Sequence, residues 1–398
     1  MPWETPDLMS VRNDFVQLVL TGKYPITECC VMFGVSEKTG HKWLSRYRSE
    51  GPAGLTDRSH APLSPAHQLA PGVRRIIIAL REEHPTWGAR KLRAVLERKS
   101  PDITWPASST IGELLRQQGL VNKRRRRRIH PIGEPLDIKL TVPAAPNDVW
   151  TTDFKGEFRL GSGSYCYPLT VSDALSRYLL GCTALPSTSS EPVAIVFKRL
   201  FRRYGLPQVI RSDNGVPFAS PMALGRLSRL AVWWILLGIR PERIDPGHPQ
   251  QNGQHERMHR TLKAEATKPA SSTLIKQQER FDRFRREFNN ERPHEALNQR
   301  PPSSCYSNSP RQLPNHPPRP DYPTHFEVRR ATNKGMVKWK GQLFWTTTSL
   351  AKQDLGFEQI HDDIWAVNFC KLTLGTYHPA SNTFLPELGW RKDALPDE

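Results

Sequence analysis

Near residue 147 the spacing of apolar residues changes from a helical period to the alternation of a strand, and a chain with that break must build two kinds of architecture. Upstream, Val11, Phe15, Leu18 and Val19 form one helical stripe, and Ile26, Cys29, Cys30 and Phe33 form a second. Gly34 suits a tight turn, and Ser36 can cap a third helix whose inner face carries Trp43 and Tyr47. Downstream, "VWTTDFKGEFRL" alternates as a strand, and "YCYPLTVSDALSRYLLGCTAL" reads as a hairpin turning at Asp173 to Ser176. "EPVAIVFKRLFRRYG" is an amphipathic helix, and "LPQVIRSDNG" a short strand ending in an acid. The expectation is an α/β core built on a mixed five-stranded sheet.

The upstream part divides further. Residues 8–50 resemble a helix-turn-helix, with Lys38, Thr39, His41 and Lys42 on the turns that would enter a DNA groove; a plain three-helix bundle is the alternative. Residues 51–72 are rich in Pro, Gly and Ala and read as a linker. A second helix-turn-helix is expected over 73–122, from stripes at Val73, Ile76, Ile77 and Leu80, at Leu92, Val95 and Leu96, and at Ile111, Leu114 and Leu115 behind the caps Ser108 and Ser109. A basic linker over 123–140 opens with Lys123, Arg124, Arg125, Arg126, Arg127 and Arg128. These six cations repel one another unless solvated or laid along phosphates.

Charge supports a polyanionic partner. The formal net charge is +18, and residues 1–300 hold 46 of the 57 Lys and Arg against 29 of the 39 Asp and Glu. No apolar run approaches the roughly 20 residues that span a bilayer. The N-terminal "MPWETPDLMS" has neither the basic nor the apolar region of a secretory signal, so a cytoplasmic location is expected. The six cysteines show no zinc-ligand spacing and are expected to be reduced core thiols.

Asp153 falls inside the first strand, Asp213 at the end of a later one, and Glu256 near the start of a basic helix, "GQHERMHRTL". A strand interior is a costly place for an uncompensated carboxylate. A returning strand can set Asp213 beside Asp153, and a helix across the strand ends can lower Glu256 onto both. Three carboxylates so placed repel unless a divalent cation joins them, and all-oxygen ligands suit Mg²⁺, with Mn²⁺ as substitute. Taken singly, each has a plainer reading: a turn at "SDNG", an ion pair at Asp153, an i,i+4 contact of Glu256 with Arg260. As an ordered set they are more specific.

The stretches "VWTTDFKG", "VIRSDNGVPFAS", "IDPGHPQQNGQHERMHRTLKAEA" and "FNNERPHEALNQRPPSSCY" resemble insertion-sequence transposases with an integrase-type DDE core, related in fold to ribonuclease H. The resemblance implies that Asp153, Asp213 and Glu256 are both the catalytic and the metal-binding residues, holding two ions. It implies cleavage at transposon ends and strand transfer into target DNA, with double-stranded DNA (terminal inverted repeats and target) as partner. A homo-oligomer on DNA, a bacterial nucleoid setting and no nucleotide cofactor are expected too. Between Asp213 and Glu256 lie 42 residues (256 − 213 − 1), more than is commonest in the family, and the excess is assigned to an extra helical segment in "ALGRLSRLAVWWILLGI". On the helix of Glu256, His259, Arg260 and Lys263 follow at i+3, i+4 and i+7; Arg260 and Lys263 are expected to grip phosphates. The core is bounded at 141–305, followed by a Pro-rich linker over 306–322 and a small β-barrel over 323–385, SH3-like by the resemblance. Competing readings are an inert DNA-binding regulator, separated from an enzyme by metal-dependent nicking, and a general nuclease, which has no use for two sequence-reading units.

Overall fold

The computed structural model describes residues 7–58, 69–121, 140–220, 223–244, 251 and 253–390. It divides into two compact units, one ending at Ala70 and one beginning at Pro71.

The first unit is three helices, α1 (Leu8–Leu20), α2 (Ile26–Met32) and α3 (Glu37–Glu50). Phe15, Val16, Cys29, Cys30, Trp43 and Leu44 close its core. Gly34 turns the chain between α2 and α3 at φ +63°, a conformation that disfavours side chains. Ser36 caps α3 by accepting from the Thr39 amide. Gly40 lets α3 approach α2, since a Cβ there would lie 2.4 Å from Cys30 Sγ. The expected linker begins later than its composition suggests: Gly51–Leu55 form a 3-10 turn that buries Leu55 in this core.

The second unit opens with α4 (Pro71–Glu83), α5 (Ala89–Lys99) and α6 (Ser108–Gln117). Neither Ser108 nor Ser109 caps α6; its N-cap is Ala107, which has no side-chain acceptor. The basic run Lys123 to Arg128 lies outside the described residues.

Strands β1 (Val149–Phe154), β2 (Phe158–Arg159), β3 (Tyr165–Asp173) and β4 (Leu179–Leu185) come next, then α7 (Ser190–Tyr204) and β5 (Val209–Ser212). After them come α8 (Arg229–Leu236), β6 (Arg240–Arg243), α9 (Gly253–Ala266) and α10 (Leu274–Asn290). The sheet order is β4-β3-β1-β5-β6, with the short β2 continuing the β1 edge of β3. β1, β3 and β4 are antiparallel, whereas β5 and β6 run parallel to β1. This order and sense are those of a ribonuclease H-like core. Helices α7 and α8 pack on one face around Trp150, Phe197, Phe201 and Trp234. On the other face α9 and α10 pack around Cys182, Met258, Leu262, Phe281 and Phe284. The segment expected as an extra helix is therefore α8, the crossover that two parallel strands require. Before it, Ala219 and Leu227 form an isolated antiparallel bridge.

Strands β7 (Glu327–Arg330), β8 (Met336–Trp339), β9 (Gln342–Trp345), β10 (Asp354–His361), β11 (Ile364–Phe369), β12 (Leu372–His378) and β13 (Thr383–Trp390) complete the chain. Among the described residues they form an antiparallel five-stranded sheet, β13-β12-β11-β10-β7, and a β8–β9 hairpin, packed around one core. That core takes in Leu227, Ala231, Val232 and Ile235 from α8 and the loop before it, so the C-terminal sheets are seated on the α/β core. The Pro-rich 306–322 segment is likewise fastened. The Arg311 guanidinium donates to the carbonyls of Pro207, Leu237 and Gly238, and Tyr306 stacks on Tyr178 with ring centres 4.4 Å apart. Cys305 and Cys370 are half-buried, whereas Cys29, Cys30, Cys166 and Cys182 are buried thiols.

Helices α4–α6 are joined to α9 and α10 by polar contacts. His84 lies on the Trp87 ring at 3.7 Å and its Nδ1 meets Glu287 at 2.9 Å. Glu265, on α9, meets the Arg292 guanidinium at 2.6 Å and accepts from the Thr86 hydroxyl. With Arg292 only 8% and Glu265 only 18% exposed, removing one partner strands the other charge. Arg292→Ala is therefore expected to cost about 3–5 kcal/mol in urea unfolding; a loss below about 1 kcal/mol would show that the pair is solvated.

Candidate active site

Parallel pairing of β1 with β5 matches Val149 to Val209, Trp150 to Ile210 and Thr151 to Arg211, a constant offset of 60 (209 − 149). Asp153 lies two residues past the last of these pairs and Asp213 one residue past the end of β5, and the Asp213 charge acts on Asp153. Gly215 N donates to Asp213 Oδ1 at 3.1 Å, and a Cβ on Gly215 would lie 3.0 Å from Oδ2, so the turn is fitted around this carboxylate.

Alternation turns Thr151 and Asp153 to the face covered by α9, and the register sets Ser172 opposite Thr151 and Thr170 opposite Asp153. Helix α9 buries His255, Met258, His259, Leu262 and Ala266, an i, i+3, i+4, i+7 stripe whose upper end is two imidazoles. His255 Nε2 and His259 Nε2 reach Thr170 Oγ1 at 2.6 and 2.7 Å, and His255 Nδ1 lies 3.0 Å from Thr151 Oγ1. His259 Nδ1 is 3.7 Å from Asp153 Oδ2. Glu256 lies between the two histidines in sequence and is exposed in the first turn of α9.

Residues 143–249 and 237–302 match profiles of the integrase core domain, residues 12–62 a helix-turn-helix domain, and residues 39–115 a homeodomain-like domain. The chain is 29% identical over 245 residues to an uncharacterized 31.7 kDa protein of insertion element IS407 from Burkholderia multivorans, covering 61% of this chain and 83% of that one. It is 27% identical over 271 residues to a 39.2 kDa protein of insertion element IS476 from Xanthomonas euvesicatoria, covering 67% and 74%. The chain thus carries integrase core and helix-turn-helix domains and is similar to proteins of insertion elements. Among solved structures, this integrase-core chain is similar to the HTLV-2 integrase catalytic core domain in complex with magnesium, at 14% identity and a TM-score of 0.33, covering 41% of this chain and 98% of that one.

Within the integrase core, desolvation raises two acids, Asp173 and Asp153, but their partners differ. Asp173 accepts from the Asn147 amide and from the amide and hydroxyl of Ser176, so it serves the hairpin turn. Asp153 is pushed up to about 7, first by burial and then by the charge of Asp213, with Glu256 adding to it; Lys155 and the Phe154 amide oppose the rise. The nearby histidines supply no positive charge, because burial lowers His255 to about 3 and His259 to about 2. An all-oxygen set crowding negative charge fits a hard divalent cation. Among the described residues no three acidic, histidine or cysteine side chains converge as a ready cation site.

The expected DNA-facing residues are distributed as follows. Arg260 and Lys263 lie exposed on α9 with Glu256, whereas His259, expected on the same face, belongs to the buried stripe. Lys38 and His41 are exposed on α3, and Lys42 is exposed with its ammonium 4.6 Å from the Trp43 ring centre. Thr39 is half-buried, and its hydroxyl meets Ser36 at 2.9 Å in the cap. The sequence reading did not single out Thr151, Thr170, Ser172 or His255 as functional. Their signal was present: polar residues at every second strand position, matched by histidines at i,i+4 on a helix.

The raised Asp153 carboxyl sets a pH dependence. Between its ordinary 3.8 and about 7 the folded chain binds the extra proton, so stability falls as pH rises through that window and stays lowered above it. In divalent-free buffer Asp153→Asn is expected to stabilise the protein at pH 8 by roughly 2–4 kcal/mol and to change little at pH 4. Denaturant titrations at the two pH values check this, and an equal effect at both would rule out the charge as the cause.

Proposed function

We propose that this chain is a DDE transposase that cleaves DNA at the ends of its insertion element and transfers those ends into target DNA. What supports the reading above all is that Asp213 and Glu256, from a separate strand and a helix, both act electrostatically on Asp153, and that the helix of Glu256 has a cationic exposed face. Asp153, Asp213 and Glu256 would hold the metal. Bound there, two Mg²⁺ ions, or Mn²⁺ in their place, supply the charge that makes water or a free 3′-hydroxyl nucleophilic and that offsets the charge gathering on the phosphate.

The chain's own residues do the rest. In cleavage, water oxygen bonds to phosphorus as the bond to the 3′-oxygen breaks, leaving a 3′-hydroxyl. In transfer, that hydroxyl attacks a target phosphodiester and a target 3′-oxygen departs. Arg260 and Lys263 meet the phosphates beside the reacting bond and hold it in line. His255 and His259 stay neutral and committed to hydroxyl partners, so neither takes the nucleophile's proton. Lys38, His41 and Lys42, on the helix-turn-helix, contribute to reading the terminal repeats, as do Lys123 to Arg128 through phosphate contacts. The chain acts as a homo-oligomer on DNA in the bacterial cytoplasm, at the nucleoid, without a nucleotide cofactor. No helix among the described residues is long and apolar enough to cross a membrane.

Asp153→Asn, Asp213→Asn and Glu256→Gln should each abolish Mg²⁺-dependent nicking and strand transfer, while end-DNA affinity, set mainly by phosphate contacts, stays within about threefold of wild type. Gel-shift and nicking assays on the same preparations check both arms. A variant that cuts at the wild-type rate would remove that residue from the site, and a wild-type chain that binds but never cuts would favour the inert regulator.

A further inference from the structure

Thr170 touches both the strand of Asp153 and the helix of Glu256, and it alone among the described contacts meets both His255 and His259. Its hydroxyl has three neighbours: the backbone carbonyl of Asp153 at 3.0 Å, His255 Nε2 at 2.6 Å and His259 Nε2 at 2.7 Å. A carbonyl only accepts, so the single hydroxyl hydrogen goes to Asp153. Both lone pairs of the oxygen then receive N–H groups, which fixes both imidazoles as Nε2–H tautomers. His255 Nδ1 is left to accept a hydrogen from Thr151 or Ser172, whose hydroxyls lie 3.0 and 3.2 Å away. His259 Nδ1 is left as an acceptor 3.7 Å from Asp153 Oδ2.

This bonding is directional and saturated. Two imidazoles one turn apart on α9 converge on one oxygen, with Glu256 between them in sequence, so sliding or rotating the helix breaks both bonds together. Thr170 is fully buried, which means that water does not replace a lost partner.

We propose that Thr170 is a positioning residue that sets the height and rotation of α9 over β1 and thereby the placement of Glu256 against Asp153. The proposal rests on the reading of Asp153, Asp213 and Glu256 as the metal-holding set. Thr170→Val keeps the side-chain shape but removes the hydroxyl, whereas Thr170→Ser keeps it.

Two measurements on the full chain test it. In ¹⁵N spectra of histidine-labelled wild-type protein without metal, His255 and His259 should both be protonated at Nε2; an Nδ1–H form of either would overturn the proposal, whether or not any variant folds. Mn²⁺ binding followed by electron paramagnetic resonance should weaken by about tenfold or more in Thr170→Val and by no more than about twofold in Thr170→Ser. If wild type binds Mn²⁺ and Thr170→Val binds it equally well, the role of Thr170 falls and the metal site stands. If wild type takes up no Mn²⁺, both fall.

Discussion

The interface between α9 and the first strands is polar where most helix–sheet contacts are apolar, and the acidic site depends on that exception. An apolar interface tolerates sliding, because dispersion contacts re-form in neighbouring registers. Buried imidazoles and hydroxyls do not, since a misplaced group loses its partner with no water to replace it. His255 and His259 therefore fix α9 over Thr151, Thr170 and Ser172 more strictly than Met258 and Leu262 alone would. An exposed Glu256 on that helix inherits the precision of a buried network.

The surrounding parts extend the same restraint. At its far end α9 is held by Glu265, through Arg292 and the Thr86 hydroxyl, so helices α4–α6 are mechanically connected to the helix of Glu256. On the opposite face of the sheet, α8 serves two cores: Leu230 and Trp234 face the sheet, while Ala231, Val232 and Ile235 receive the C-terminal strands. Burying one crossover helix from both sides anchors β6 against α8 and, through its parallel pairing, β5, the strand that leads to Asp213. Acidic residues contributed by distant parts of the chain thus rest on elements that packing leaves little freedom to move.

Much of the α/β core was legible because it obeys simple periods. The β3–β4 hairpin, α7 and β5 follow directly from alternation and helical stripes, and Asp153 and Asp213 fall near the ends of two strands that pair in parallel. What misled were features whose meaning depends on tertiary partners. The 306–322 segment has a linker's composition, yet Arg311 and Tyr306 bind it to the core, and no local pattern announces a guanidinium that meets three carbonyls. Helix α8 read as an insertion because nothing local says that β6 runs parallel to β5. His259 was placed with the exposed cations on helical spacing, but a neutral histidine can join the apolar stripe when a hydroxyl receives its N–H. Ser108 and Ser109 were natural caps by residue type, yet the helix begins one residue earlier than a cap at Ser108 would set it.

The central claim is that Asp153, Asp213 and Glu256 together hold divalent cations. Anomalous diffraction at the manganese edge, from crystals soaked in Mn²⁺, tests it without reference to activity. The account requires manganese density between Asp153 and Asp213, with Glu256 completing the shell of at least one ion. Strong density elsewhere in the chain, with none at this pair of strand ends, would contradict it.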